Sequence, residues 1–171
     1  MDSISEARLQ LVNPILSKKI HLLATMLQDE NIVFRVTQGL RTWNEQDKLY
    51  QQGRTLPGKI VTNAPAGHSW HEYGLAVDLV VMIDDNTIPD WTITHPSWQR
   101  LINVGESLGM YSGSEFCSIK DYPHFQLSGS FPVSPNDEAR QIFLNAGMEA
   151  VWHEAGLVEP DAQTPTATNV T

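Results

Sequence analysis

The chain has 171 residues, 41% hydrophobic and 18% charged, with a formal net charge of −9. That length can build one compact domain with a sizeable core, and the composition excludes bulk disorder. The acidic balance argues against nucleic acid, whose phosphates need clustered Lys and Arg, and gives no general attraction to anionic membranes or wall polymers.

No run of roughly 18 apolar residues is present, so no membrane-spanning helix is expected. Met1 to Glu6 lacks a basic stretch followed by an apolar one, so no Sec-type signal peptide is visible. Cys117 is the single cysteine. An intramolecular disulfide and a cysteine-based zinc site are therefore excluded, and any metal must be held by His, Asp or Glu.

The first expected helix has Asn13 as its N-cap and Pro14 at its first position, and Leu16, Ile20, Leu23 and Leu27 recur at helical spacing. Ile32 to Val36 reads as a short strand. Thr42 to Glu45 fits a capping box, opening a helix to about Gln52 that Gly53 ends. Pro57-Gly58 marks a turn, with a short strand expected over Lys59 to Thr62. Leu75 to Ile83 is an apolar strand broken by one charge, Asp78, and Asp84-Asp85-Asn86 follows as a hairpin turn. Pro96 to Leu108 is a helix ended by Gly109. His124 to Leu127 is a short strand, and Asn136 to about Ala155 is helical with a break near Gly147. Short strands between helices without βαβ spacing predict an α+β domain over residues 1–158. Residues 159–171, rich in Pro, Thr and Ala, are expected to form a flexible C-terminal tail.

The chemistry concentrates in three segments. In Ser69-Trp70-His71-Glu72-Tyr73-Gly74-Leu75-Ala76-Val77-Asp78, a lone carboxylate lies inside an apolar strand. It is costly to bury unless something pairs with it, and a metal ion held jointly with His71 is an effective partner. Gly74 lets the chain turn tightly between the two ligands. In Asp121-Tyr122-Pro123-His124-Phe125, His124 can supply a third ligand. Asp121 can sit beside the metal without binding it, where a carboxylate could move protons. Three protein ligands and an open position describe a catalytic zinc site. In Gln38-Gly39-Leu40-Arg41-Thr42, Arg41 is a fixed cation suited to an oxyanion.

Bland alternatives stand beside these readings. Arg41 could make a surface ion pair, Asp121 could only form a turn, and Ser69 could be a loop hydroxyl. Asp84 and Asp85 fit turn chemistry better than calcium. Trp91 and Trp98 fit core or edge packing better than a ligand wall. Cys117 reads as a buried, inert thiol. His68 could support the site through a hydrogen bond.

Ser-x-His-x6-Asp with Gly and Ala between the ligands, a later acidic-x-x-His, and an upstream Gly-x-Arg-Thr together resemble the Hedgehog-type (LAS) zinc peptidases. That family includes D-alanyl-D-alanine carboxypeptidases and L-alanyl-D-glutamate endopeptidases of phage lysins. Glu45-Gln46, Leu49-Tyr50, Gln52 to Thr55, Pro57-Gly58 and Ile60 to Ala64 look most like the endopeptidase branch. The resemblance implies a small, mainly antiparallel sheet flanked by helices. It implies one Zn²⁺ on His71, Asp78 and His124, with Asp121 as catalytic base and Arg41 as oxyanion contact. Ser69 and Gln38 are then expected to bind substrate, a peptidoglycan stem peptide. The expected protein is a monomeric enzyme, made in the cytoplasm and reaching the wall by a route such as phage-type release. A D-alanyl-D-alanine carboxypeptidase and a non-catalytic zinc-dependent binding module remain as alternatives.

Overall fold

The computed structural model describes residues 1–159. Most of the expected tail, 160–171, lies outside the described residues. The elements run α1 (Ser3–Leu9), α2 (Pro14–Gln28), β1 (Val33–Gln38), α3 (Trp43–Gln51), a 3₁₀ turn (Trp70–Tyr73), β2 (Ala76–Ile83), β3 (Ile88–Asp90), α4 (Pro96–Ser107), β4 (Tyr111–Ser112), a second 3₁₀ turn (Gly113–Glu115), β5 (His124–Gln126), α5 (Asp137–Ala146) and α6 (Met148–Glu154). The mixed helical and antiparallel architecture is the one expected.

Local chemistry explains most boundaries. Asn13 Oδ1 accepts from the backbone N–H groups of Ile15 and Leu16 at the start of α2. Thr42 and Glu45 close a reciprocal capping box on α3. The β2–β3 hairpin turns through Asp84, Asp85 and Asn86, all at positive φ, a conformation that Asn and Asp tolerate best among residues with a Cβ. Gly147, at φ 84° and ψ −175°, separates α5 from α6 where a helical break was expected. Residues 59–62 depart from expectation. They form no strand and run as irregular chain, because Ile60 and Val61 are exposed and meet no sheet edge that would select a ladder. α1, β3 and β4 form without having been expected, because they are too short to show a period in the sequence.

β2 organises the sheet. It pairs antiparallel with β1 on one side and with β5 and β3 on the other, and β5 in turn pairs with β4. The main core packs Leu16, Ile20, Leu23 and Leu27 of α2 with Val77, Leu79 and Val80 of β2 and Trp98, Leu101 and Ile102 of α4. Each such side chain contributes roughly 1.5–3 kcal/mol by leaving water. Trp98 belongs wholly to this core and donates its indole N–H to Asp90 O at 3.0 Å. Trp91 is exposed and stands outside the lining of the principal cleft. A second cluster gathers Trp70, Tyr73 and Leu75 with Phe131, Ala139 and Val151, tying α5 and α6 to the chain that enters β2. That entry point is where the polar site lies. Among the described residues no helix is long and apolar enough to cross a membrane.

Candidate active site

Sheet register assembles the site. Asp78 on β2 stands directly opposite His124 on β5, and residues opposed across an antiparallel pair share a face. The 3₁₀ turn just before β2 carries His71, and Gly74 at φ 62° makes the reversal into the strand. His71 Nε2 lies 3.0 Å from Asp78 Oδ1 and 3.2 Å from His124 Nδ1, and His124 Nδ1 lies 3.3 Å from Asp78 Oδ1. His71 and His124 are buried, while the Asp78 side chain is 20% exposed.

The remaining imidazole nitrogens fix the rings. His71 Nδ1 lies 2.8 Å from Gly39 O, a group that only accepts, so Nδ1 carries the proton. His124 Nε2 lies 2.9 Å from Gln126 Oε1. The Gln126 amide is oriented in turn, because its Nε2 donates to Val133 O at 2.7 Å. Both rings thus present unprotonated nitrogens to one point that Asp78 Oδ1 also faces.

Two imidazoles and a carboxylate suit zinc among the common divalent ions. The three separations also fit: bonds of about 2.0–2.1 Å in a tetrahedron put neighbouring donors about 3.3 Å apart. Burial works to raise the Asp78 pKa, but the charge and hydrogen bonds of His71 and His124 outweigh it and hold it low. Burial works to lower the His124 pKa, and the hydrogen bond and charge of Asp78 raise it nonetheless. The cluster is built to hold positive charge.

The donors open into a cleft of about 700 Å³, whose lining includes Arg41, Ser69 and Asp121. Arg41 Nη1 donates to Gln46 Oε1 at 2.8 Å, and its Nη2 lies 3.6 Å from Asp78 Oδ2. Gln46 is fully buried and donates to Ala64 O at 2.6 Å, so the guanidinium is held by helix α3 and by the cleft wall together. Asp121 stands outside the three-donor cluster. Its backbone N–H donates to Gly113 O, and its carbonyl accepts from the His124 N–H, which fixes the turn before β5. Burial raises its pKa, the charge of Asp78 raises it further, and His124, His71 and Arg41 partly offset this.

Not every expected residue falls in the cleft. Gln38 lines a shallower neighbouring depression that also includes Arg41 and Leu49, and its Nε2 donates to Leu40 O at 3.3 Å. Cys117 is exposed on the cleft lining and is not buried as expected. It lies between the second 3₁₀ turn and β5, where residues 117–120 are all exposed.

Sequence reasoning did not assign positioning roles to Gly39, Gln46 and Gln126. Gln126 was findable, since it lies two residues beyond His124 on the same strand face. The Gly39 carbonyl carries no side-chain signal at all. Glu72 was also passed over. It is buried, and it accepts from the Gly67 and Ser69 N–H groups at 2.7 and 3.0 Å, which shapes the loop bearing Ser69 and His71.

A buried His-Asp-His cluster at the end of an antiparallel sheet, open to a cleft that also holds an arginine and a free carboxylate, defines a metallopeptidase-type site. A family model described as D-alanyl-D-alanine carboxypeptidase matches residues 62–127. The peptidoglycan L-alanyl-D-glutamate endopeptidase CwlK of Bacillus subtilis (strain 168) is 33% identical over 123 residues, spanning 68% of this chain and 73% of that protein. The crystal structure of the Serratia marcescens L-Ala D-Glu endopeptidase ChiX superposes with a TM-score of 0.54 at 26% identity, covering 74% of this chain and 87% of that one. The LdcB LD-carboxypeptidase shares the fold, with a TM-score of 0.50 at 23% identity, over 67% of this chain and 64% of its own. The chain belongs to the Hedgehog/D-Ala-D-Ala-type (LAS) peptidase family.

Proposed function

We propose that this protein is a zinc peptidase that cleaves the L-alanyl-D-glutamate bond of peptidoglycan stem peptides. The observation that carries this reading is the His71–Asp78–His124 cluster on a cleft floor, in a chain 33% identical to an endopeptidase of that specificity. Zinc held by these three residues would supply Lewis acidity, acidifying water and polarising the scissile carbonyl.

The protein's own groups do the rest. Asp121 takes the proton of the attacking water and passes it to the leaving amine. A carboxylate whose pKa is raised by burial and by Asp78 is suited to both halves of that transfer. Arg41, held by Gln46, donates to the oxyanion of the tetrahedral intermediate. Ser69 in the cleft wall and Gln38 in the neighbouring depression contact the peptide at different points along its length. The enzyme acts on the cell wall as a monomer.

A D-alanyl-D-alanine carboxypeptidase is the second reading, favoured by the description of the family model that matches residues 62–127. Mass spectrometry of fragments released from purified peptidoglycan separates the two. New D-glutamate amino termini support the endopeptidase. Free D-alanine with the L-alanyl bond intact identifies the carboxypeptidase.

A further inference from the structure

His68 lies in the cleft wall one residue before Ser69, apart from the metal ligands, the base and the oxyanion contact. Its Nδ1 is 3.3 Å from Arg140 Nη1. A guanidinium only donates, so Nδ1 accepts and the ring proton sits on Nε2. Among the described residues Nε2 has no hydrogen-bond partner. The ring belongs to the cleft lining, so this N–H is left for solvent or for a ligand in the cleft to satisfy.

Arg140 is itself fixed. Its Nη1 also donates to Pro135 O at 3.0 Å, its Nη2 pairs with Asp137, and its side chain is only 19% exposed. Pro135 belongs to the cleft lining, so one guanidinium braces two stretches of the wall. Arg41, the cation on the floor, is already engaged by Gln46 and faces Asp78. A neutral donor backed by a fixed, largely buried cation favours an anionic oxygen over a neutral one. The bond to a charged acceptor is stronger, and the guanidinium behind the ring adds an attraction that its pairing with Asp137 reduces but does not cancel, since the Asp137 side chain is 94% exposed and screened by water.

We propose that His68 is a specificity-determining residue whose Nε2–H, braced by Arg140, binds the side carboxylate of the acidic residue that follows the scissile bond. This rests on the endopeptidase reading. A glutamyl residue has two carboxyl groups, and whichever continues the chain, the other remains beside the cleaved amide as a negative charge. Amidation of that group removes the charge and leaves a weaker acceptor. Burial and the charge of Arg140 lower the His68 pKa, against a smaller opposing effect of Asp137, which favours the neutral ring.

The test uses the zinc-loaded full chain and two synthetic stem peptides. They differ only in a carboxylate or a carboxamide on the residue after L-alanine. Wild type should favour the carboxylate by about 10-fold in kcat/KM. His68→Gln retains an N–H near the Nε2 position, whereas His68→Asn retains only a group near Nδ1 that can meet Arg140. His68→Gln should keep the preference within about 3-fold. His68→Asn should reduce it to about 1 through KM on the carboxylate peptide, with kcat and zinc content unchanged. Rescue by Asn as good as by Gln would make His68 a mere wall strut and overturn the proposal, as would an unchanged ratio in both variants. Wild type cutting both peptides equally overturns it and leaves the endopeptidase reading standing. Wild type cutting neither overturns that reading and this proposal with it.

Discussion

Replacing Gln126 with leucine removes the group that joins His124 to the cleft wall. The residue is buried, its Oε1 accepts from His124 Nε2 at 2.9 Å, and its Nε2 donates to Val133 O at 2.7 Å. Leucine nearly matches its bulk, so cavity formation is a small effect. Val133 O remains satisfied, because Trp70 Nε1 also donates to it at 2.8 Å. The loss therefore falls on His124, whose N–H is left without an acceptor at a cost of about 1–3 kcal/mol. That proton is then free to move to Nδ1, the nitrogen turned toward the metal position, and the ring loses its orientation. Removing such a support lowers metal affinity by about 10–100-fold. Competition with a chromophoric chelator of known affinity measures the zinc Kd directly, without any turnover. Gln126→Glu is the companion variant: it keeps the acceptor for His124 and gives up the donor to Val133. It should bind zinc at least as tightly as Gln126→Leu. An unchanged zinc Kd in Gln126→Leu would refute the claim that this amide orients the ligand.

Four further outcomes are expected. Stripping the metal with a strong chelator should abolish peptide release and lower Tm, since zinc binds the folded cluster and not the unfolded chain; full activity in demonstrably metal-free protein would end the zinc reading. Asp121→Asn should keep zinc and fold while losing about 10²–10⁴-fold in kcat, and a parallel loss of zinc by elemental analysis would make Asp121 a ligand. Gly113→Ala should damage zinc binding from outside the ligand set, because a Cβ there would meet Asp121 O at 2.4 Å and His124 Cβ at 2.9 Å; wild-type affinity by the same competition assay would show that the turn yields freely. Asp2 caps α1 by accepting from the Ser5 N–H at 2.8 Å and also pairs with Arg35. Burial works to raise its pKa, but these partners hold it below the ordinary value. Its contribution is therefore complete above the unfolded carboxylate pKa and is lost as pH falls through the lower folded value. Asp2→Ala should cost about 1 kcal/mol at neutral pH and converge with wild type in acid, as read by denaturant titration at each pH.

The sequence by itself determined the features whose causes lie within a few residues. The Asn13–Pro14 start of α2 and the Thr42–Glu45 capping box follow from side chains meeting backbone groups one turn away. The hairpin at Asp84–Asn86 and the break at Gly147 follow from which residues tolerate positive φ. Asp78 was conspicuous for a similar reason, as one charge in an apolar strand with a histidine a short turn upstream. What joined those segments was legible only as a family resemblance. The pairing of β5 alongside β2, which sets His124 against Asp78, is a contact across 46 residues that no local preference fixes. The same distance hid the supports. Gly39 is linked to His71 through a bare carbonyl, and Gln46 reaches Arg41 from the buried position of its helix, where a polar residue gives no core signal. Tertiary packing also decided against local appearance. It left Cys117 on the cleft lining, kept residues 59–62 out of the sheet and placed Gln38 in the neighbouring depression, because burial and strand pairing depend on what the rest of the chain brings alongside.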